Sequence, residues 1–157
     1  VSFPDVAKTL HIVPVSISYE YDPCDALKAA ELFALASKGE YQKSQYEDIE
    51  SIVQGIIGYK GDVHVAFGQP IVDDFENADD LARTIDQAII GNYHLHGSNV
   101  LAAGLDADQV TATKRDDYLN RVSAINADCL PWFVAQYANP ALNKQKLAEQ
   151  ASEKGAA

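Results

Sequence analysis

The stretch that most constrains the fold is an apolar run from Thr9 to Tyr21, TLHIVPVSISYEY. Its second half alternates strictly, because large apolar or aromatic residues occupy the odd positions and serine or glutamate the even ones. Successive side chains of a strand point to opposite faces, so this half predicts a strand with one apolar and one polar face. The first half is apolar on both faces, which is typical of a strand covered on both sides in a parallel sheet.

Two prolines limit this predicted strand. Pro14 cannot donate to a sheet ladder, so it belongs at a sheet edge, a strand start or a bulge, where the chain can bend toward a cleft. The turn sequence Asp22-Pro23-Cys24-Asp25 follows the strand. Pro23 disfavours a helical conformation at Asp22, and Asp25 suits a helix N-cap. A helix is therefore predicted to begin directly after this turn.

A second strand is predicted from Asp62 to Ile71, DVHVAFGQPI, after two helical patterns at Asp25 to Ser37 and Tyr46 to Ile57. Two strands joined by a long helical interval favour a parallel pair with a right-handed crossover. The first helix is expected to pack on the sheet through an apolar face made of Leu27, Ala30, Leu32, Phe33 and Leu35. The second helix places Ile49, Ile52, Val53, Ile56 and Ile57 at helical spacing.

The remainder of the chain is helical in character, which completes the predicted fold. An amphipathic helix is predicted from Ala78 to Ile90, and another reaches about Ala127 with Tyr118, Val122 and Ile125 toward the core. A last helix begins at Leu130-Pro131, is anchored by Trp132, Phe133 and Tyr137, and ends at Asn139-Pro140. The predicted class is α/β, with a small, mostly parallel sheet flanked by helices. Residues 1–92 form its α/β part, and residues 93–157 form a helical C-terminal extension with a frayed terminus.

Composition and charge exclude several classes of protein. The 157 residues fit one domain, and the formal net charge of -11 disfavours binding to nucleic acid or anionic lipid, which are themselves polyanionic. No apolar run approaches the ~18 residues of a membrane span. Two cysteines, Cys24 and Cys129, are too few for a disulfide framework and lack metal-type spacing. These features predict a reduced, cytoplasmic protein.

Three polar or glycine-rich stretches invite functional hypotheses. Gly55, Gly58 and Gly61 could form a phosphate loop, but they lack the Gly-Lys-Ser/Thr ending, so a helix stop and turn is favoured. The acids between Asp73 and Asp80 could bind a metal, although a solvated helix N-terminus also explains them. His94 and His96 share a face if their segment is extended, and could form a metal site with nearby acids. A linker between helices is the favoured interpretation of that segment.

The two strand sequences resemble a known family. IVPVSISYEY followed by KGDVHVAFGQPI is similar to the C-terminal half of the glycerolipid acyltransferases, which acylate glycerol 3-phosphate or 1-acylglycerol 3-phosphate. The similarity runs from Thr9 to about Val72, and is looser up to Tyr137-Ala138-Asn139-Pro140. It implies that Val13, Pro14 and Val15 line part of a substrate cleft. It also implies an acyl-CoA or acyl carrier protein donor, a glycerophosphate acceptor, and no further cofactor or metal.

The residues that carry the family's chemistry are missing from this sequence. The family uses a His-x-x-x-x-Asp block, in which the histidine is a general base oriented by the aspartate. Here the residues five positions after the four histidines are Ser16, Gln69, Asn99 and Leu101. The chain is therefore expected to be an inactive fragment of a bacterial-type enzyme that lies at the inner membrane, and to pair with a second copy. The alternative is a noncatalytic α/β module that binds a protein or a small molecule.

Overall fold

The computed structural model describes residues 9–155, which are mostly helical (58%). In chain order the elements are β1 (Val15–Tyr19), α1 (Asp25–Lys38), α2 (Glu47–Ile57), β2 (Val63–Phe67), α3 (Ala78–Asn92), α4 (Gly97–Ala102), α5 (Ala112–Ser123) and α6 (Leu130–Gly155). Both predicted strands are confirmed, but both are shorter than expected: the second covers only Val63–Phe67 of the predicted Asp62 to Ile71, and the first starts later than Thr9. Thr9 and Leu10 are helical, and the strand begins immediately after Pro14, which has no N–H to donate.

The predicted parallel arrangement of the sheet is wrong. The two strands form a two-stranded antiparallel sheet. Gly68 N donates to Pro14 O at 2.8 Å, and Glu20 N donates to Asp62 O at 2.9 Å, so the start of β1 meets the end of β2. The reason lies in the interval between the strands. One crossover helix brings the chain back to the start of the first strand, whereas α1 and α2 together return it to the end of β1.

The described chain divides into two compact units made of interleaved segments. The first contains the described residues up to Ser18, His64–His94, and the chain from Asn143 onwards. The second contains Tyr19–Val63 and Leu95–Leu142. Each unit is therefore assembled from stretches that are distant in sequence.

The second unit holds an aromatic core. Its buried residues are Tyr21, Ala29, Tyr118, Phe133 and Tyr137. The ring centroids of Phe133 and Tyr137 are 5.2 Å apart, and Tyr118 meets Tyr137 edge-on at 5.8 Å. Trp132, Val122 and Ile125 pack against this cluster, as their sequence positions predict. The core therefore lies where α5 and α6 meet the segment that follows β1.

The apolar faces of the first two helices are exposed. Leu27, Leu32 and Leu35 of α1 are 42–44% exposed, so the predicted burial of this face on a sheet is wrong. The buried residues of α1 are instead Asp25 and Ala29. The physical reason is that α1 packs on the aromatic core of the second unit through Ala29, which lies on a different side of the helix from its leucines.

The last helix continues through a proline. The sequence predicts an end at Asn139-Pro140, but α6 runs from Leu130 to Gly155 with Pro140 inside it. Proline removes one backbone hydrogen bond and normally breaks a helix. Tyr137, Ala138 and Ala141 are buried on both sides of Pro140. Their packing offsets the lost hydrogen bond, so tertiary contacts override the local signal.

One glycine is required at the turn into β2. Gly61 has φ +62°, and an added Cβ would lie 2.7 Å from Glu20 Oε2 and 2.9 Å from Tyr21 Cδ2. Gly39 has a similar φ of +77° but no atom within 4 Å of such a Cβ. Alanine at Gly39 would therefore introduce only backbone strain, whereas alanine at Gly61 would add steric overlap to the same strain.

We expect Gly39→Ala to lower the free energy of unfolding by about 1 kcal/mol, the cost of a left-handed conformation. Gly61→Ala should lower it by roughly 3 kcal/mol, because overpacking adds to the same strain. Urea denaturation of both variants measures the difference. Equal losses would contradict the close approach of Gly61 to Glu20 and Tyr21.

Candidate functional site

The residues predicted to line a cleft lie at the start of β1, where the two strand motifs meet. Val13 and Val15 are 42% and 37% exposed, whereas Pro14 between them is buried. The Pro14 carbonyl accepts the hydrogen bond from Gly68 N. A Cβ on Gly68 would lie 3.2 Å from that carbonyl oxygen, so glycine allows the close approach of the two chains. The Val-Pro-Val and Phe-Gly-Gln-Pro sequences are thus direct neighbours in space.

One face of the sheet is apolar and exposed. Because Pro14 lies opposite Gly68, Val15 lies opposite Phe67 and Ile17 opposite Val65. The side chains of Ile17, Val65 and Phe67 are 49%, 47% and 74% exposed. We call the set Val13, Val15, Ile17, Val65 and Phe67 the apolar sheet face. A contiguous surface of this kind favours an apolar ligand or a covering layer of protein rather than water.

The opposite side of β1 is polar and buried. Ser16 and Ser18 are 1% and 0% exposed. Ser18 Oγ accepts a hydrogen bond from His94 N at 2.9 Å, and Ser16 Oγ is buried without a hydrogen-bond partner. The alternation of β1 is therefore confirmed, but its usual sense is inverted, with polar residues inside and apolar residues outside. Alternation alone identifies two faces and does not say which of them is buried.

A buried ionic network in the second unit centres on Asp25, the first residue of α1. Arg121 donates to Asp25 Oδ2 through Nη2 at 2.6 Å and through Nε at 3.2 Å. The Tyr137 hydroxyl donates to the same oxygen at 2.5 Å and accepts from Asp22 N at 3.1 Å. Burial and the hydrogen bond to Asp25 raise the pKa of Tyr137 above its ordinary value, so the phenol remains a donor. The network joins α1 to α5 and α6.

This network is suited to support rather than to catalysis. The second carboxylate oxygen of Asp25 already accepts from Ala26 N at 2.7 Å. Arg121 also donates to the backbone carbonyl of Asp22 and lies over the Tyr21 ring, 4.9 Å from its centroid. Both oxygens of the acid and both neighbouring side chains are therefore engaged within the fold. The sequence predicts an N-cap at Asp25, but Cys24 occupies the N-cap position and Asp25 is the first residue of α1. The partners of Asp25, about a hundred residues away, leave no local signal in the sequence.

A second ionic cluster involves the lysine of α5. Lys114 Nζ lies 3.0 Å from Glu20 Oε1 and donates to Asp62 Oδ2 at 2.6 Å. Glu20 Oε2 accepts from Asp62 N at 3.0 Å. Hydrogen bonds to Asp62 and Glu20 raise the pKa of Lys114. Lys114 is therefore a stably charged structural cation and a poor candidate for a nucleophile or base.

The histidine segment serves two structural roles. The rings of His94 and His64 stack with centroids 4.9 Å apart. His96 is buried at the start of α4, where its N–H donates to Asn99 Oδ1 at 2.8 Å. Ser98 and Asn99 are also buried; they donate to the backbone carbonyls of Glu20 and Tyr137. Residues 93–96 therefore connect α3 to α4, as the linker interpretation predicts, and the buried side chains of His96, Ser98 and Asn99 fix the start of α4.

The structure supports neither of the two metal hypotheses. Within residues 9–155, no group of three or more histidine, cysteine or acidic side chains is arranged to hold a metal ion. The acids at the start of α3 instead belong to a capped helix, in which Asn77 Oδ1 accepts from Asp80 N at 3.0 Å and Asp80 pairs with Arg83. In the same part of the chain, no helix combines the length and apolar character that a membrane span requires.

A cavity of about 280 Å³ lies between α1 and α2. Its lining includes Lys28 and Lys43, but these cations pair with Asp22 and Asp48 respectively. Cys24 lines its inner end and donates Sγ–H to Ser51 O at 3.4 Å. Because the charged residues that line the cavity are mixed in sign and paired with acids, the cavity favours neither an anionic nor a cationic ligand.

Comparison with known proteins gives no assignment: no family model matches the chain, and no curated protein or solved structure matches it significantly.

Proposed function

We propose that this chain supplies part of the acyl-transferring domain of a glycerolipid acyltransferase, an enzyme that moves an acyl group from a thioester to a glycerophosphate hydroxyl. One observation carries the proposal. The two sequences that resemble this family, more than fifty residues apart, are joined by the hydrogen bond from Gly68 N to Pro14 O. The two blocks are far apart in the sequence, but this pairing makes them neighbours in the folded chain.

In this proposal the chain supports the site and does not perform the reaction. Val13, Pro14 and Val15 contribute a wall of the substrate cleft. The general base and its aspartate come from outside this sequence, which contains no His-x-x-x-x-Asp block. The apolar sheet face supports the proposal, because it is the surface against which another layer of the same domain would pack.

The donor in this proposal is acyl-CoA or acyl carrier protein, and no further cofactor is involved. The complete enzyme is cytoplasmic and works at the surface of the inner membrane, where its product partitions. The net charge of -11 argues that other parts of the enzyme contact anionic lipid.

The proposal predicts that this chain alone has no acyltransferase activity, because it lacks the general base. The purified chain should release thiol from acyl-CoA at the background rate, with either glycerol 3-phosphate or 1-acylglycerol 3-phosphate as acceptor. A complete bacterial acyltransferase assayed in parallel is the positive control. Release that depends on the acceptor would contradict the proposed division of roles.

The family assignment is tested by the coding sequence before Val1. A His-x-x-x-x-Asp block within about one domain length, roughly 150 residues, would support it. A start codon near Val1 with no such block would refute it.

A noncatalytic module that binds a protein is the second candidate. The observation that favours it is the exposure of the apolar sheet face together with the exposed apolar faces of α1 and α2. The same coding sequence discriminates the two functions, because a module needs no catalytic block upstream.

A further inference from the structure

The second helix carries an exposed apolar stripe. Ile49, Ile52, Val53, Ile56 and Ile57 are between 47% and 74% exposed, and no residue of α2 is buried. At 3.6 residues per turn these positions cover about 140° of the helix circumference. We call them the α2 stripe. They are the positions that a surface helix normally turns toward its own core.

The inner side of α2 is occupied by small residues instead. Ser51 and Gly55 lie on the face opposite the stripe, spaced one turn apart. Ser51 O accepts from Cys24 Sγ, and a Cβ on Gly55 would meet the same sulfur at 4.0 Å. The hydrogen bond from Cys24 to Ser51 turns this side of α2 toward the start of α1. The stripe therefore lies on the outer side of α2, although Ile52 also lines the cavity between α1 and α2.

The charges around the stripe differ between its two ends. Glu47, Asp48 and Glu50 lie in the first turn. Lys60 lies just beyond the last turn, where Nζ donates to the carbonyls of Ile56 and Gly58 at 3.1 Å. Amphipathic helices that lie on anionic membranes place lysine and arginine beside their apolar face. The α2 helix places acids there, so its charge disfavours a lipid surface.

We propose that the α2 stripe packs against the α2 stripe of a second copy of this chain, with the helices antiparallel and related by a two-fold axis near Val53. This arrangement puts the acidic first turn of each helix beside the Lys60 end of the other, and it opposes the two helix dipoles. A parallel pairing would place acids beside acids. The proposal is independent of the acyltransferase assignment.

The exposed surface is large enough for such a pairing. The α2 stripe and the neighbouring Tyr46, which is 60% exposed, offer apolar area on the order of the ~800 Å² that each partner contributes to a standard interface. Branched aliphatic side chains at this spacing interdigitate between helices.

Sedimentation across a dilution series of the 157-residue chain tests the pairing. The unmodified chain should reach dimer mass at micromolar concentration, and Ile52→Glu/Ile56→Glu should raise Kd at least ~100-fold, because it introduces four buried charges per dimer. Leu119→Glu is the matched control, since Leu119 is 52% exposed on α5. It should leave Kd within about threefold of the unmodified value. Circular dichroism verifies that each variant remains folded.

Other outcomes would overturn the proposal. One is a monomer at every concentration, including a monomer that binds phosphatidylglycerol vesicles. Another is a dimer that survives Ile52→Glu/Ile56→Glu but dissociates on Val65→Glu/Phe67→Glu, which would assign the contact to the apolar sheet face.

Disulfide trapping tests the orientation in a Cys129→Ser background. Val53→Cys should form a covalent dimer on mild oxidation, because the two-fold axis brings it close to its own copy. Ile49→Cys alone should not, but a mixture of Ile49→Cys and Ile57→Cys proteins should cross-link. Efficient self-linking of Ile49→Cys would mean a parallel pairing and would refute the proposed geometry.

Discussion

Replacing Asp25 by alanine is expected to lower the free energy of unfolding by about 4 kcal/mol. The substitution leaves the Arg121 guanidinium partly buried and without the carboxylate that accepts two of its hydrogen bonds. It also leaves the Tyr137 hydroxyl without its acceptor. Urea denaturation at pH 7 measures the loss.

A double-mutant cycle separates the unpaired charge from other effects of this substitution. Asp25→Ala/Arg121→Met should recover roughly 2 kcal/mol relative to Asp25→Ala, because it removes the buried charge that lost its partner. Tyr137→Phe should cost roughly 2 kcal/mol, since it keeps the ring but deletes two hydrogen bonds, one of them to a carboxylate. A loss below ~1 kcal/mol for Asp25→Ala itself would mean that the network does not hold the helices together.

The second large effect is expected at Phe133, at the centre of the aromatic core. Phe133 is 0% exposed, and Phe133→Ala should lower the free energy of unfolding by about 4 kcal/mol, through lost burial and an unfilled cavity. Phe67→Ala removes the same atoms from a side chain that is 74% exposed. It should cost less than ~1 kcal/mol. Similar losses at the two positions would place the core elsewhere.

Local patterns predicted the positions of most elements, because strand alternation and helix periodicity act over a few residues. The stretch that became β1 alternates in its own sequence, and the side chains of Tyr118 and Phe133 follow the helical period of their segments. The direction of β2 was not predictable in this way. It depends on how many helices intervene, and two successive helices were interpreted as one crossover.

Burial was harder to predict than secondary structure. The isoleucines of α2 have the period of a core-facing stripe, yet the opposite face, which carries Ser51, is the one that contacts Cys24. Pro140 has the local signature of a helix end, yet buried side chains on both sides keep α6 continuous. In both cases the outcome depends on contacts with residues distant in sequence, so it cannot be predicted from a local pattern.

The candidate site could be predicted only from the resemblance of its sequence to a known family. The Val13-Pro14-Val15 segment could be singled out, but its pairing with Gly68 required the antiparallel register. The partners of Asp25 and the burial of His96 and Asn99 could not be predicted, because aspartate and asparagine are mostly exposed and histidine is only intermediate in burial.

The interleaving of the two units has a consequence for synthesis on the ribosome. The chain passes from one unit to the other after Ser18, Val63, His94 and Leu142. Neither unit can close when its first segment emerges, and the first must wait for the residues after Asn143. A nascent chain halted before that point would hold β1 and β2 without the last helical segment of their unit. Folding of the first unit therefore waits until the residues from Asn143 onwards have left the ribosome, and its incomplete form can be bound by chaperones.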